Sequence, residues 1–162
     1  MKHTAFGALM GLSGLLVLTH PAAARSWATY DNSRFLYEIC YPSDLLTPQP
    51  EADNGDGRAF TAANGASLRV WGNYNVSDES LATVVKDLTP DGATVSYRHL
   101  TGKSAVISGQ VGDAIFYAKV LFEKGDTGTL RSFVLTYPAD AASTYNPVVA
   151  RLATCLRAGR KQ

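Results

Sequence analysis

Two cysteines, Cys40 and Cys155, stand near opposite ends of this sequence and constrain its fold more than any other feature. Joined, they force an early strand-like run and the last helix-like run to lie side by side. Whether they join depends on the compartment, and the amino terminus speaks to that. Met1-Lys2-His3-Thr4 is a short basic start, Ala5 to Leu18 is apolar, and Ala22-Ala23-Ala24 supplies small residues, which are the three parts of a secretory signal. The apolar run is 14 residues long, short of the roughly 20 that a membrane-crossing helix needs. Nothing later is comparably apolar, so a cleaved signal is expected rather than an uncleaved anchor, with no stable membrane insertion afterwards. Cleavage after Ala24 leaves 25–162 as a single globular domain, and no Cys follows the small residues to take a lipid.

An export signal sends the chain to an oxidising periplasmic or extracellular compartment, where two cysteines are expected to pair. The alternative is two buried free thiols. A loop of about 115 residues closed by a Cys40–Cys155 disulfide contributes up to about 5 kcal/mol in the chain-entropy model. Zinc and redox roles do not fit, because there is no C-x-x-C and only His99 remains once the signal carries off His3 and His20. No cofactor is expected.

The charge is balanced, with 15 basic and 14 acidic residues and no Lys/Arg run, which excludes the phosphate-neutralising patch of a nucleic-acid binder. At 46% hydrophobic and 18% charged, the chain is neither disordered, collagen-like nor a multipass membrane protein.

Arg34 to Tyr41 is aromatic and β-branched and is stopped by Pro42, a strand pattern. Pro48 and Pro50 predict a loop that runs on through Asp53-Asn54-Gly55-Asp56-Gly57. Arg58 to Ala62 and Ala66 to Trp71 flank Asn64-Gly65, a hairpin signal. After Ser77-Asp78-Glu79, the residues Leu81, Val84, Val85 and Leu88 form one apolar helical stripe, ended by Pro90-Asp91-Gly92. Four strands are predicted next, at Thr94 to Leu100, Ser104 to Gln110, Ala114 to Glu123 and Thr129 to Tyr137. Ala114, Phe116, Ala118, Val120 and Phe122 share one face of the third, and its other face is mixed, so this strand is expected to be covered on both sides. A final helix is predicted with Asn146 as N-cap, Pro147 at its first position and Gly159 beyond its end. Its buried stripe is Val148, Val149, Leu152, Cys155 and Leu156, which turns Cys155 toward the sheet.

The segment Tyr30-Asp31-Asn32-Ser33-Arg34-Phe35-Leu36-Tyr37-Glu38-Ile39-Cys40-Tyr41-Pro42 resembles the aromatic-rich opening strand of the PsbP-like family, which ends in Tyr-Pro. Leu36 stands where that pattern has Gly. Phe133-Val134-Leu135-Thr136-Tyr137-Pro138 and the helix to Leu156 are similar to the family's last strand and C-terminal helix, so the resemblance spans most of residues 27 to 158. It implies an α+β fold, a single antiparallel sheet of six to seven strands flanked by helices, in a non-enzymatic accessory or binding protein, and it carries over no catalytic residue.

Common catalytic signatures are missing. Gly102-Lys103-Ser104 lacks the upstream Gly of a phosphate loop, since Tyr97 stands there, and it lies between strands. G-x-S-x-G, H-E-x-x-H and S-x-x-K do not occur. A triad through His99 needs a serine and a carboxylate from distant parts of the chain, so a structural histidine is expected. The loop with Glu51, Asp53, Asn54 and Asp56 is a candidate calcium site centred on Asp53 and Asp56, but it lacks the register and distal Glu of a calcium loop, which favours a solvated turn. Asn75-Val76-Ser77 matches the glycosylation acceptor. Trp27, Tyr30, Phe35, Tyr37, Tyr41, Trp71 and Tyr74 crowd the first half; most are expected in the core, with a recognition surface as the alternative. The expected function is a small exported binding or accessory protein acting through a protein partner, with an exported inhibitor or immunity protein and an unrecognised hydrolase as the other two classes.

Overall fold

In the computed structural model, which describes residues 24–125 and 128–159, the chain forms ten strands and two helices. β1 (Trp27–Asn32) and β2 (Tyr37–Pro42) make a hairpin, and β3 (Thr47–Glu51), β4 (Gly57–Thr61) and β5 (Ser67–Tyr74) make a meander. After α1 (Leu81–Leu88) comes a second meander of β6 (Thr94–Leu100), β7 (Ser104–Val111), β8 (Ala114–Phe122) and β9 (Thr129–Pro138). α2 (Ala142–Cys155) and the short β10 (Arg157–Ala158) follow. The main sheet has the order β3-β4-β5-β9-β8-β7-β6, and β1-β2-β10 forms a second, three-stranded sheet. All pairs are antiparallel, as the PsbP-like resemblance implies. The proposed signal, residues 1 to 24, lies outside the described residues except for Ala24.

Alternation along the strands gives the main sheet two apolar faces, so it needs a layer on each side. On one face Phe60, Leu68, Val70, Phe133, Leu135 and Tyr137 meet Tyr37 and Ile39 of β2 and Val148 and Leu152 of α2. On the other face Phe116, Ala118, Val120 and Ile107 meet Val84, Val85 and Leu88 of α1. β8 is therefore covered on both sides, as its sequence predicts. Ser80 caps α1, its hydroxyl accepting from the Thr83 N–H at 3.2 Å. Cys40 on β2 and Cys155 on α2 form the disulfide, with Cα atoms 5.5 Å apart.

Two local expectations are corrected. Pro48 and Pro50 do not force a loop; they sit in β3, which pairs only with β4. An edge strand has one side with no ladder to serve, so a missing N–H is tolerated there. Asn146 is not an N-cap either. α2 starts four residues earlier, after the 3-10 turn Ala139–Ala141, and Pro147 lies inside it. The carbonyl that Pro147 deprives of a partner belongs to Ser143, an exposed residue open to solvent. Asn146 instead accepts from the Tyr137 hydroxyl at 3.0 Å.

Leu36, in the β1–β2 turn, has φ +50°. A side chain in the left-handed region costs about 1–2 kcal/mol, a cost that a Gly at this position avoids. Leu36→Gly is expected to stabilise the protein by about 0.5–1 kcal/mol, the relief of strain exceeding the added entropy of the unfolded chain. A lower melting temperature for this variant in calorimetry would contradict the strain argument.

Candidate binding surface

The acidic loop is held from inside by donors of the protein itself. Asn32 Nδ2 donates to the Gly55 carbonyl at 3.0 Å, the Tyr37 hydroxyl to the Asp56 carbonyl at 3.0 Å, and Arg34 Nη1 to the Asn54 carbonyl. The Gly72 N–H also donates to Asp56 O, at 2.9 Å. Asn54 and Asp56 close an Asx turn, with Asp56 N–H on Asn54 Oδ1 at 3.1 Å and Asn54 Nδ2 on Asp56 Oδ2 at 2.8 Å. Asp56 Oδ2, Asn54 Oδ1 and the Asn54, Gly55 and Asp56 carbonyls thus already accept hydrogen bonds, while Asp53 stands exposed. Among the described residues no cluster of three or more His, Cys, Asp or Glu side chains is placed to hold a metal. The melting temperature is expected to stay unchanged in millimolar calcium or chelator; a calcium-dependent rise that disappears in Asp53→Ala would establish the site.

Asn75 is buried, its amide donating to Glu79 O at 3.0 Å and accepting from Glu79 N–H at 2.9 Å. It is sealed as a structural staple before α1 and is closed to glycosylation. His99 lies on β6, and among the described residues it shares no hydrogen bond or ion pair with a serine or a carboxylate, so a triad has no geometric support. Of the first-half aromatics, Tyr30, Phe35 and Tyr37 are core residues, Trp27, Tyr41 and Trp71 pack partly, and Tyr74 is exposed with its ring edge against Phe35.

Burial of tyrosines gives the fold an alkaline limit. Desolvation raises the Tyr30, Tyr37, Tyr117 and Tyr137 hydroxyls above the ordinary value of 10.0. Tyr30 also donates to Glu51 Oε1 at 2.7 Å, a bond that a phenolate cannot make. With native values raised, these groups lose no stability below the unfolded value; as pH rises past it, the unfolded chain ionises first and stability falls. Lys119, lowered by desolvation, works in the opposite direction, but it is one group against four. The melting temperature is expected to be level up to about pH 9.5 and to drop beyond about pH 10. Spectrophotometric phenolate titration should show the late groups ionising together with unfolding.

The surface that stands out is one edge of the main sheet. Every residue of β6 is exposed. Among the described residues, three of the five exposed large hydrophobics lie on it, Val95 at 41%, Tyr97 at 53% and Leu100 at 36%. A bulge at Ser96–Tyr97 shifts the register against β7, and opposite it Gly109 makes room, since a Cβ there would lie 2.0 Å from the Thr94 carbonyl. On the α1 side, a groove of about 340 Å³ runs between α1 and β6, lined by Val85, Lys86, Pro90, Asp91, Val95 and Arg98. On the α2 side, a shallow depression of about 560 Å³ is lined by Thr94, Ser96, Ser108, Gln110 and Ile115. The sequence marks β6 only as a strand. Its one further signal is that neither face is uniformly apolar, since Ser96, Arg98 and His99 interrupt both, the composition of a strand that no layer covers.

No family model matches the chain, and no curated protein is similar to it in sequence. Solved structures do resemble it. The solution structure of cyanobacterial PsbP (CyanoP) from Synechocystis sp. PCC 6803 superimposes with a TM-score of 0.58 at 18% identity, covering 90% of this chain and 99% of that one. The Ran-binding protein Mog1p of Saccharomyces cerevisiae gives 0.57 at 6% identity, covering 83% of this chain and 96% of that one. Similarity at such low identity is similarity of architecture, and from it, with the strand order and both helix layers on the page, the chain has a PsbP-like α+β fold.

Proposed function

We propose that this chain is an exported, non-enzymatic binding protein that acts through a protein partner seated on the β6 edge of its sheet. The observation that carries this is the gathering of Val95, Tyr97 and Leu100, exposed, on a strand flanked by a groove on each face. Aromatic and aliphatic side chains held on a rigid strand are the kind of anchor that dominates interfaces. The described structural neighbour Mog1p binds a protein, which supports such use of the fold. Export rests on the three-part start of the sequence, with 1–24 removed and 25–162 as the working domain, and the Cys40–Cys155 disulfide suits that compartment. Among the described residues no helix is long and apolar enough to cross a membrane.

The test is affinity capture from the envelope fraction of the producing cell, comparing the parent chain with a Tyr97→Ala, Leu100→Ala double variant. A stoichiometric partner lost by the variant supports the proposal, and inhibition of that partner's activity on binding identifies an inhibitor or immunity protein. Turnover in a substrate screen that disappears in His99→Ala would overturn it in favour of an enzyme.

A further inference from the structure

We infer that β6 takes its partner by strand addition: an extended, acidic peptide segment pairs with the free edge of β6 and borders the groove beside α1. This rests on the proposed binding function and specifies how the partner is held. The main-chain pattern shows which residues are available. The Thr101 N–H donates to the Ser104 carbonyl at 2.8 Å, so Thr101 and Ser104 are a hydrogen-bonded pair. Antiparallel pairs alternate. With the register Leu100↔Ala105, His99↔Val106, Arg98↔Ile107 and Tyr97↔Ser108, Tyr97 and His99 spend their N–H and C=O groups on β7. Arg98 and Leu100 therefore turn theirs outward.

The two edges of the sheet are treated differently. β3, at the far edge, carries Pro48 and Pro50, which remove donors and blunt the edge against pairing. β6 contains no proline, and among the described residues no strand pairs with its outer side. α1 packs over β7 and β8, and residues 89–93 extend a slot from it to β6, where an added strand gains main-chain bonds from the edge and side-chain contacts at the rim. Here the slot is the groove of about 340 Å³ in which Val85 and Ile107 form an apolar floor. Side chains of an added strand that face the α1 side meet the β6 rim of this groove, where Arg98 stands. Two cations, Lys86 and Arg98, line it against one acid, Asp91, so an acidic side chain flanked by aliphatic ones complements it. A second copy of β6 fits worse: the pairing centred on the outward residue Arg98 sets two guanidinium groups opposite each other.

The chain is expressed at full length, purified as its cell processes it, and panned against a phage-displayed library of random linear peptides. Enriched sequences are expected to be β-prone with an acidic residue, and Arg98→Glu is expected to reverse that preference to a basic one. On peptide binding, amide exchange should slow roughly tenfold or more at Arg98 and Leu100, with Tyr97 and His99, already bonded to β7, unchanged. Leu100→Pro removes an outward donor and no bond to β7, so it should lose the peptide while keeping the parent melting temperature. Should that variant not fold, the parent chain is tested with the peptide N-methylated in alternate phases, and only one phase should abolish binding. Equal binding of both phases, protection elsewhere, a library with no enrichment, or self-association that protects the same amides without peptide would each overturn strand addition. Failure of these tests while the Tyr97→Ala, Leu100→Ala variant still loses its envelope partner would refute the mode and leave the binding function standing; failure of both would remove both.

Discussion

Cys155→Ser is expected to destabilise the protein by about 2–5 kcal/mol, the range for a native disulfide in a small secreted domain. The bridge spans a separation of 115 residues and joins β2 to the last turn of α2. Its removal frees the unfolded chain far more than the folded one, because other ties hold the same place. Leu152 and Leu156 remain buried, Lys119 Nζ donates to the Ala153 carbonyl, and the Gly159 N–H donates to the Leu36 carbonyl at 2.6 Å. β10 also pairs with β2, where Arg157 meets Glu38. The variant should therefore fold, with a lower denaturation midpoint and a steeper denaturant dependence as its unfolded state expands. Mass analysis of the parent without reductant should show two hydrogens fewer than the reduced form. Rapid labelling of both thiols without reductant would refute the bridge, and a loss under about 1 kcal/mol would refute its energetic weight.

Phe133→Ala carries the other large effect, an expected loss of about 3–5 kcal/mol. Phe133 is fully buried in the middle of β9, opposite Val70 of β5 and Lys119 of β8, with its ring stacked on Tyr117 at 5.9 Å between centroids. β strands on both sides hold the backbone in place, so the site cannot collapse around the lost ring and a cavity remains. Phe133→Leu keeps most of the volume and should lose less than about 1.5 kcal/mol. Equal losses for the two variants in urea unfolding would show that the ring is not packed as described.

The second meander was legible because local signals decide it. β6 spans Thr94–Leu100, the run its sequence marks, and β7, β8 and β9 end within one residue of theirs, since alternation and Gly-containing turns act over a few residues. The disulfide was legible from compartment and count. What was hidden depends on neighbours remote in sequence. Pro48 and Pro50 read as loop because nothing local says that their strand has one free side. Asn146-Pro147 imitates a helix start, and only the preceding 3-10 turn and the partner hydroxyl of Tyr137 show otherwise. β1 carries strand formers in Trp27, Thr29 and Tyr30 but no alternation that marks it locally, and the two-residue β10 exists through its pairing with β2. The candidate surface was the least visible. Asp53, Asp56 and His99 attract notice as residue types, whereas the exposure of Val95, Tyr97 and Leu100 follows from the position of β6 at the rim, a property of the assembled sheet.

The strand order also sets a timetable. β9 lies at the centre of the main sheet, between β5 and β8, yet it is the last of the seven strands to be synthesised. Until it arrives, β3-β4-β5 is a meander whose inner edge, carrying Leu68 and Val70, has no partner, and residues 67–74 wait for 129–136. Pairings so distant along the chain slow folding to the millisecond-to-second range. A nascent chain thus holds an open apolar strand edge throughout the making of α1, β6, β7 and β8, and a truncation before Thr129 leaves that edge open permanently, a substrate for holdase chaperones or for aggregation.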